Sequence, residues 1–159
     1  MRLFHLIALV GLVACGSESV YEGELRISSE ADLALLEGVD VVAGNLQITT
    51  DDLRELTLGS LTRVEGDLWI QLNPRLTTLS IPNLSSVSGG FLVSRNERLT
   101  SIGFSALRSV GGSFAISYNC RLPSNQAGSI AGEVSIGCDG VASGGNCIVT
   151  APNMGDDGC

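Results

Sequence analysis

The sequence predicts an all-β fold, a short parallel β-helix built as a solenoid of about six rungs of 20–23 residues each. The first supporting observation is a short motif that recurs along most of the chain at a nearly constant step. The second is that apolar residues alternate with period two inside each copy, as in a strand with one buried face. The third is a content of 20 Gly but only 4 Pro, which indicates many tight corners.

Each copy of the motif spans seven residues. Its first, third, fifth and seventh positions hold a β-branched residue, Gly, an apolar residue and a second β-branched residue. The clearest copies run from Val42 to Ile48 and from Val64 to Ile70. Further copies cover 87–93 and 110–116, with looser ones at 20–27 and 130–136, so that the glycines fall at 23, 44, 66, 89, 112 and 132. One rung cannot bury its apolar face alone, whereas stacked rungs bury a continuous apolar column.

The corners between strands show a pattern of their own. The Gly before each strand predicts a corner that needs a positive φ or close backbone packing. An Asn or Asp three residues after each strand suits a tight bend, because its side chain can bond local backbone groups. Stacked over four rungs, these residues are expected to form a ladder of Asp51, Asn73, Asn96 and Asn119. Helices are poorly supported, with a turn or two at 31–37 and another at 126–131.

The first residues indicate an export signal. Arg2 supplies a positive charge, and Leu3–Ala14 is a nearly continuous apolar stretch. Twelve residues rise about 18 Å as a helix, well short of the ~30 Å hydrocarbon core of a bilayer. A charged start followed by so short an apolar run favours a secretory signal over a transmembrane span.

The end of that apolar stretch, Leu12-Val13-Ala14-Cys15, resembles the lipobox of bacterial lipoproteins. The resemblance implies a signal peptide over residues 1–14, acylation of Cys15 and a lipidated tether over residues 15–19. It also implies that Cys15 anchors the protein in the cell membrane or outer membrane, facing the periplasm or the cell exterior. An ordinary cleaved signal with a chance Cys is the alternative.

The charge of the chain excludes one class of partner. There are 17 acidic residues, and the 9 basic ones are all Arg, which gives a formal net charge of -8. Nucleic-acid binding needs clustered cations, so this balance argues against it. The only His is His5, within the signal, and the chain has no Lys. The exported part therefore lacks the commonest general base and the usual Schiff-base amine, and we expect no cofactor.

The repeat in full reads Leu-x-x-Leu-x-Leu-x-x-Leu-x-x-Val-x-Gly-x-Leu-x-Ile-x-x-Asn, with Gly66, Leu68, Ile70 and Asn73 in place. It is most similar to the receptor L-domain family, and the similarity covers roughly residues 20–147. The resemblance implies a short right-handed parallel β-helix related to leucine-rich repeats, here assigned to residues 20–138. It also implies that ligands bind on the sheet surface of the β-helix.

Residues 139–159 form a Gly/Asp-rich segment with cysteines, interpreted as a C-terminal cap or tail. Four cysteines follow Cys15, and an even number in an exported protein favours disulfides. Three pairings are possible, and we favour 120–138 with 147–159, the four residues being Cys120, Cys138, Cys147 and Cys159. A zinc site is the alternative, but there is no His and no Cys-x-x-Cys pair, so no metal is expected.

A candidate binding face follows from the alternation within the strands. The residue between the two inward-facing ones faces outward, which gives the series Arg26, Gln47, Trp69, Leu92, Ala115 and Ser135. Leu72, Arg95 and Tyr118 flank this series. We expect Trp69 and Leu92 to be neighbours on adjacent rungs, forming an apolar patch on an otherwise polar surface. The alternative is that Trp69 is covered by the N-terminal segment or a side loop.

These observations predict a membrane-anchored, exported lipoprotein that acts as a non-catalytic binding module for a protein or glycan partner. Two alternatives stay open. One is a structural component of the envelope without a soluble ligand. The other is a β-helix carbohydrate-active enzyme, for which Asp51-Asp52 is the one pair of adjacent carboxylates in the repeats.

Overall fold

A computed structural model of the protein describes residues 18–136 and 148–149. The signal peptide, Cys15 and three of the cysteines expected to form disulfides, Cys138, Cys147 and Cys159, lie outside these residues and stay predictions. Within the described residues, no helix has both the length and the apolar character that crossing a membrane requires.

Short strands are the commonest regular elements in the described part of the chain. In chain order they are β1 (Val20–Tyr21), β2 (Leu25–Ile27), β3 (Val41–Val42), β4 (Leu46–Ile48), β5 (Glu55–Thr57), β6 (Arg63–Val64), β7 (Leu68–Gln71), β8 (Thr78–Ser80), β9 (Ser86–Val87), β10 (Phe91–Ser94), β11 (Ser101–Gly103), β12 (Ser109–Val110), β13 (Phe114–Ser117), β14 (Ser135–Ile136) and β15 (Ile148–Val149). A 3-10 helix spans Glu30–Leu36, and one α-helix, α1, spans Ser124–Glu133.

The strands form three parallel sheets that run along the solenoid. The first sheet has the order β1-β3-β6-β9-β12-β14, the second β15-β13-β10-β7-β4-β2, and the third β11-β8-β5. Pairing joins equivalent residues of successive repeats, so that Phe91 lies opposite Leu68 on one side and opposite Phe114 on the other. The predicted all-β parallel solenoid is confirmed.

The solenoid makes about four turns, slightly fewer than the six rungs predicted. Among the described residues, three successive repeats place a strand in all three sheets. The 3-10 helix takes the place of the third strand in the repeat before them, and α1 takes it in the repeat after them. The two helices match the short helical turns expected at 31–37 and 126–131. Oε1 of Gln126 accepts a hydrogen bond from the backbone N–H of Ile102 at 3.1 Å, so α1 covers the open edge of the third sheet.

The core is a continuous apolar column inside the solenoid, as the repeat predicted. Its members are the inward-facing residues of each strand together with a Leu at each corner, and most are completely buried. The largest side chains lie near the C-terminal end of the column. The ring of Phe91 stacks on that of Phe114 with centroids 4.9 Å apart, and meets that of Phe104 edge-on at 5.0 Å.

The glycine before each central strand is needed for close packing, and a positive φ is not the reason. A Cβ at Gly66 would lie 2.6 Å from the carbonyl carbon of Gly44, and one at Gly89 would lie 2.8 Å from that of Gly66. The glycines therefore stack backbone on backbone along one corner of the solenoid. Of the two explanations that the sequence left open, close approach holds for these corners, while Gly23 alone among the motif glycines has a positive φ, at 96°.

The prediction of a last copy of the motif at 130–136 is wrong. Residues 130–133 belong to α1, and Ser135 lies in β14 of the first sheet, where it pairs with Ser109. The strand that extends the second sheet beyond Ala115 is β15, with Val149 opposite Ala115. Ser135 is thus not part of the outward-facing series of the second sheet. The spacing matches the motif although Ile130 lies in α1 and Ile136 in β14, so the match does not mark one strand corner.

A carboxylate in the first turn of the 3-10 helix receives several hydrogen bonds. Asp32 Oδ2 accepts from the backbone N–H of Ser28, from the Ser28 hydroxyl and from the backbone N–H of Ser29, each at 2.9 Å. The backbone N–H of Ser28 is the strongest of the influences that hold the pKa of Asp32 below its ordinary value of 3.8. The ionised carboxylate thus fixes the entry into the helix.

Candidate functional site

The outward-facing side chains of the second sheet form a column in register. Gln47 lies opposite Trp69, Trp69 opposite Leu92, and Leu92 opposite Ala115. Each of these side chains is half-buried, whereas the residues before and after it in its strand are fully buried. We call Trp69, Leu92 and Ala115 the apolar column. Strand pairing holds its members about 4.8 Å apart along the sheet.

A second column follows the strands of the apolar column and consists of residues with a left-handed backbone. Leu72 has a φ of 57°, and Arg95 and Tyr118 each have a φ of 54°. We call these three residues the αL column. Their backbone conformation is repeated from rung to rung, and the N–H groups of Leu72 and Arg95 donate to Ser94 O at 3.2 Å and Ser117 O at 3.3 Å in the next rung. All three side chains are exposed, Leu72 by 47% and Tyr118 by 43%.

The left-handed conformation is costly for side chains of this size. A non-Gly residue at positive φ is uncommon, and bulky residues are the exceptional cases. The strain is on the order of 1–3 kcal/mol for each residue. Gly or Asn would adopt this backbone with less strain, yet the protein places Leu, Arg and Tyr there. The surrounding turn must therefore determine the conformation firmly.

That turn is built on a buried ladder of amides, which lies directly after the αL column. Asn73, Asn96 and Asn119 are completely buried. Oδ1 of Asn96 accepts from Nδ2 of Asn73 at 2.8 Å and from its backbone N–H at 3.1 Å, and Oδ1 of Asn119 receives the same pair of bonds from Asn96, both at 3.1 Å. The predicted Asn ladder thus exists, and it links successive rungs through side chains as well as strands.

The fourth member of the Asn ladder is Thr50, and the assignment of Asp51 to it was wrong. Thr50 is buried, and its backbone N–H donates to Oδ1 of Asn73 at 2.7 Å, whereas Asp51 is exposed. The physical reason is a difference of one residue in the corner. The rung of Thr50 has no αL residue between strand and ladder, so a count of three residues from Ile48 overshoots.

Two residues after each Asn of the ladder, an Arg recurs at a step of 23 residues. The segments are Asn73-Pro74-Arg75-Leu76, Asn96-Glu97-Arg98-Leu99 and Asn119-Cys120-Arg121-Leu122. In each segment the backbone N–H of the Leu donates to the carbonyl of the Asn, at 3.2, 3.0 and 2.8 Å in chain order, which closes a tight turn. We call Arg75, Arg98 and Arg121, which are all exposed, the Arg column.

Sequence reasoning missed the Arg column, although its signal was present. The arginines keep the same step as the ladder residues and the buried Leu76 and Leu99. The net charge of -8 describes the chain as a whole and conceals this local cluster of cations. At the equivalent position of the preceding rung the chain has Asp52.

The αL and Arg columns border two adjoining hollows in the surface. The larger has a volume of about 860 Å³ and is lined by Asp51, Leu72, Pro74, Arg95, Glu97, Arg98, Tyr118, Cys120 and Arg121. The other measures about 630 Å³ and is lined by Arg54, Glu55, Pro74, Arg75, Thr77, Glu97 and Arg98. Because Pro74, Glu97 and Arg98 belong to both, the hollows form one continuous surface.

This surface is basic although the protein is acidic. It contains five of the eight arginines in the described residues, against three of the fourteen carboxylates there. The arginines elsewhere have acidic partners, and Arg63 is the clearest case. Its guanidinium donates to Glu18 at 2.9 Å, and this hydrogen bond raises the pKa of Arg63. Within the part of the chain that the structure describes, none of the five surface arginines forms such an ion pair.

One contact joins the cationic and aromatic parts of the surface. The guanidinium of Arg95 lies over the ring of Tyr118 at 5.9 Å from its centroid, within the range of a cation–π interaction. The predicted flanking residues Arg95 and Tyr118 thus lie together. They adjoin the apolar column because each follows the last residue of β10 or β13.

Of the four cysteines predicted to form disulfides, Cys120 lies within the described residues. Cys120 borders the larger hollow and is disulfide-bonded. The favoured pairing of Cys120 with Cys138 stays a prediction, as does that of Cys147 with Cys159. In the described residues, no group of three or more His, Cys, Asp or Glu side chains is arranged to hold a metal ion.

Comparisons with known proteins give no match to a family, to a curated protein or to a solved structure. The resemblance to the receptor L-domain family therefore rests on the repeat motif alone.

Proposed function

We propose that the protein is a membrane-anchored, exported lipoprotein of the receptor L-domain type that binds a protein or glycan partner without catalysis. Its binding surface is the second sheet together with the αL column, and Cys15 carries the acyl chains that hold it in the cell membrane or outer membrane. The proposal combines the lipobox-like N-terminus with the geometry of one face of the solenoid.

The observation that carries the proposal is the αL column. Leu72, Arg95 and Tyr118 hold a strained backbone at three successive rungs, and all three side chains are exposed. Packing does not require these side chains, because they do not contribute to the buried core. Strain of this kind is characteristic of sites where a side chain is needed for a contact outside the fold. A ligand on this face would use all three side chains at once.

The apolar column supplies the rest of the contact area. A half-buried Trp beside Leu is an amphipathic anchor with a large apolar surface, and such residues contribute strongly to binding. Trp69 and Leu92 are paired across adjacent strands, so their positions are fixed by the sheet. The face therefore offers a rigid apolar strip bordered by Leu, Arg and Tyr, which suits the surface of a folded protein or the ring faces of a glycan.

The test uses the full-length protein in detergent, a glycan array and a panel of purified envelope proteins. Trp69→Ala should weaken binding of any ligand found by roughly thirtyfold, since truncation of such an anchor removes about 2 kcal/mol. The matched variant Leu68→Ala changes the neighbouring, completely buried residue. It should instead lower the free energy of unfolding by about 2–5 kcal/mol and leave binding per folded molecule unchanged.

A second variant separates the effect of backbone strain at Leu72 on stability from the effect of its side chain on binding. Leu72→Asn replaces a strained residue by one that tolerates the left-handed region, so stability should rise by about 1 kcal/mol while affinity falls. Full affinity in both Trp69→Ala and Leu72→Asn, with the fold intact, would overturn the proposed surface. A protein that binds no member of either panel would instead support the structural role in the envelope.

A further inference from the structure

The Arg column repeats one charge per rung on a surface where five arginines outnumber three carboxylates. Arg75, Arg98 and Arg121 occupy the same position of three successive turns, and each turn is closed by the same backbone hydrogen bond from Leu to Asn. Neighbouring rungs are separated by about 4.8 Å. The fold therefore places three exposed arginines in a line along the solenoid.

Such a line of cations is unfavourable in the free protein. Like charges on adjacent rungs repel each other, and the repulsion is only partly screened at this spacing. Arg95 and Arg54 border the same hollows and add to the positive charge. The carboxylates of Asp51, Glu55 and Glu97 lie on the same surface, but in the described structure they form no ion pair with these arginines. An anionic ligand would relieve the repulsion.

The shape of the surface indicates what kind of anion it fits. A single small anion needs an enclosed site with converging donors, whereas these arginines are exposed and spread along three rungs. An extended polymer with regularly spaced anionic groups matches a linear array. Guanidinium groups bind carboxylates through paired hydrogen bonds. The adjacent ring of Tyr118 and the side chain of Leu72 offer apolar surface for sugar rings.

We propose that the Arg column, with the αL column beside it, binds an acidic polysaccharide whose carboxylates align with Arg75, Arg98 and Arg121. This proposal names the ligand class for the binding function proposed above and rests on it. The polymer lies along the solenoid axis, across the rungs. Its carboxylates contact the guanidinium groups, and its ring faces contact Tyr118 and Leu72.

The test is a calorimetric titration of the full-length protein in detergent with an oligogalacturonide of defined length. The fully methyl-esterified oligomer, which has the same backbone without charge, is the matched ligand. Arg98→Gln removes the central cation and should lower affinity by about tenfold or more. Arg108→Gln removes an exposed Arg outside the second sheet and both hollows, one that is paired with Glu133, and should leave affinity unchanged.

A charge reversal at the end of the column provides a gain-of-function test. Asp52 occupies the position equivalent to Arg75 in the preceding rung. Asp52→Arg should extend the column to four cations and raise the affinity for the oligogalacturonide roughly threefold. Equal binding of the esterified oligomer, or an unchanged affinity in both Arg98→Gln and Asp52→Arg, would overturn the proposal.

Two further measurements are needed. One compares the oligogalacturonide with other polyanions, and the other separates this proposal from the proposed binding function. Binding to phosphatidylglycerol vesicles or single-stranded DNA that equals binding to the oligogalacturonide would show a non-specific polyanion surface and contradict the proposal. If the oligogalacturonide does not bind but another ligand binds in a Trp69-dependent manner, the acidic-polysaccharide proposal fails and the binding-module proposal stands. If the oligogalacturonide binds and depends on Arg98 but not on Trp69 or Leu72, the Arg column is supported and the apolar face is not.

Discussion

Asn73 and Asn96 are joined by two hydrogen bonds to one acceptor atom, because both Nδ2 and the backbone N–H of Asn73 donate to Oδ1 of Asn96. Asn96 also uses its own Nδ2 to bond Ile70 O at 3.1 Å. One completely buried side chain therefore satisfies polar groups of the preceding rung, and its Nδ2 also donates to Oδ1 of Asn119 in the following rung. This double use makes the amide difficult to replace.

Asn96→Ala should be strongly destabilising for that reason. Both donors of Asn73 and the carbonyl of Ile70 would lose a partner in a buried place, at about 1–3 kcal/mol for each group. We expect a loss of about 3 kcal/mol or more in the free energy of unfolding, measured by chemical denaturation. Asn83→Ala is the matched control, because the Asn83 side chain is exposed and, among the described residues, donates a single hydrogen bond, to Gly59 O. Similar losses in both variants would contradict the role of the Asn ladder.

Gly89→Ala should also destabilise the protein, through crowding at the stacked glycine corner. The added methyl group would lie against the backbone of Gly66, and the parallel pairing leaves little room for the rungs to move apart. Overpacking of this kind costs about 1–3 kcal/mol. Gly128→Ala, in α1 with open space around it, should be neutral or stabilising by up to about 1 kcal/mol. Thermal unfolding of the pair gives the comparison, and equal melting temperatures would argue against close packing at Gly89.

Acid should weaken the start of the 3-10 helix. The pKa of Asp32 is lowered in the folded state, so its carboxylate contributes stability that is complete above the unfolded value near 3.8. That contribution is lost as the pH falls through the lower folded pKa. Asp32→Asn should therefore be less stable than the parent at neutral pH, and the difference should shrink in acid. Hydrogen exchange across residues 28–36 measures it, and a difference that is independent of pH would rule out the carboxylate as its source.

Cys15→Ala tests the membrane anchor. The thiol is the proposed acylation site, so the variant should take up no labelled palmitate and should leave the membrane fraction. Several acyl chains give stable attachment, whereas one gives only marginal binding. Cys120→Ala removes a cysteine that is disulfide-bonded in the folded domain and should keep its label. Continued labelling of Cys15→Ala would show that the lipobox interpretation is wrong.

The regular parts of the fold were predictable because they follow from a fixed step. The strands from β4 to β13, the buried Leu residues and the ladder positions of Asn73, Asn96 and Asn119 all keep the spacing that stacked rungs impose. The prediction failed where the step changes by one residue, as at Thr50, or where a helix occupies positions that match the motif, as just before Ser135.

The αL column could not be predicted from residue type. Leu, Arg and Tyr avoid positive φ in isolation, and a corner of this kind is normally inferred from Gly or Asn. The conformation of Leu72 becomes understandable only when the neighbouring rung is present, because its backbone N–H donates to Ser94 O in the next turn.

The basic surface could not be predicted from the net charge. Net charge describes the whole chain and does not report where Arg75 and Arg98 lie relative to each other.

The Asn ladder also governs how this protein can change its length during evolution. A single-residue insertion within a rung would move Asn96 out of line with Asn73 and Asn119, and the buried amides would lose their partners. Duplication of a complete 23-residue segment would keep every such pair and add one arginine to the surface. We therefore expect homologues to differ in this region by whole repeats. Homologues with more repeats should bind longer segments of the proposed acidic polysaccharide, with greater avidity.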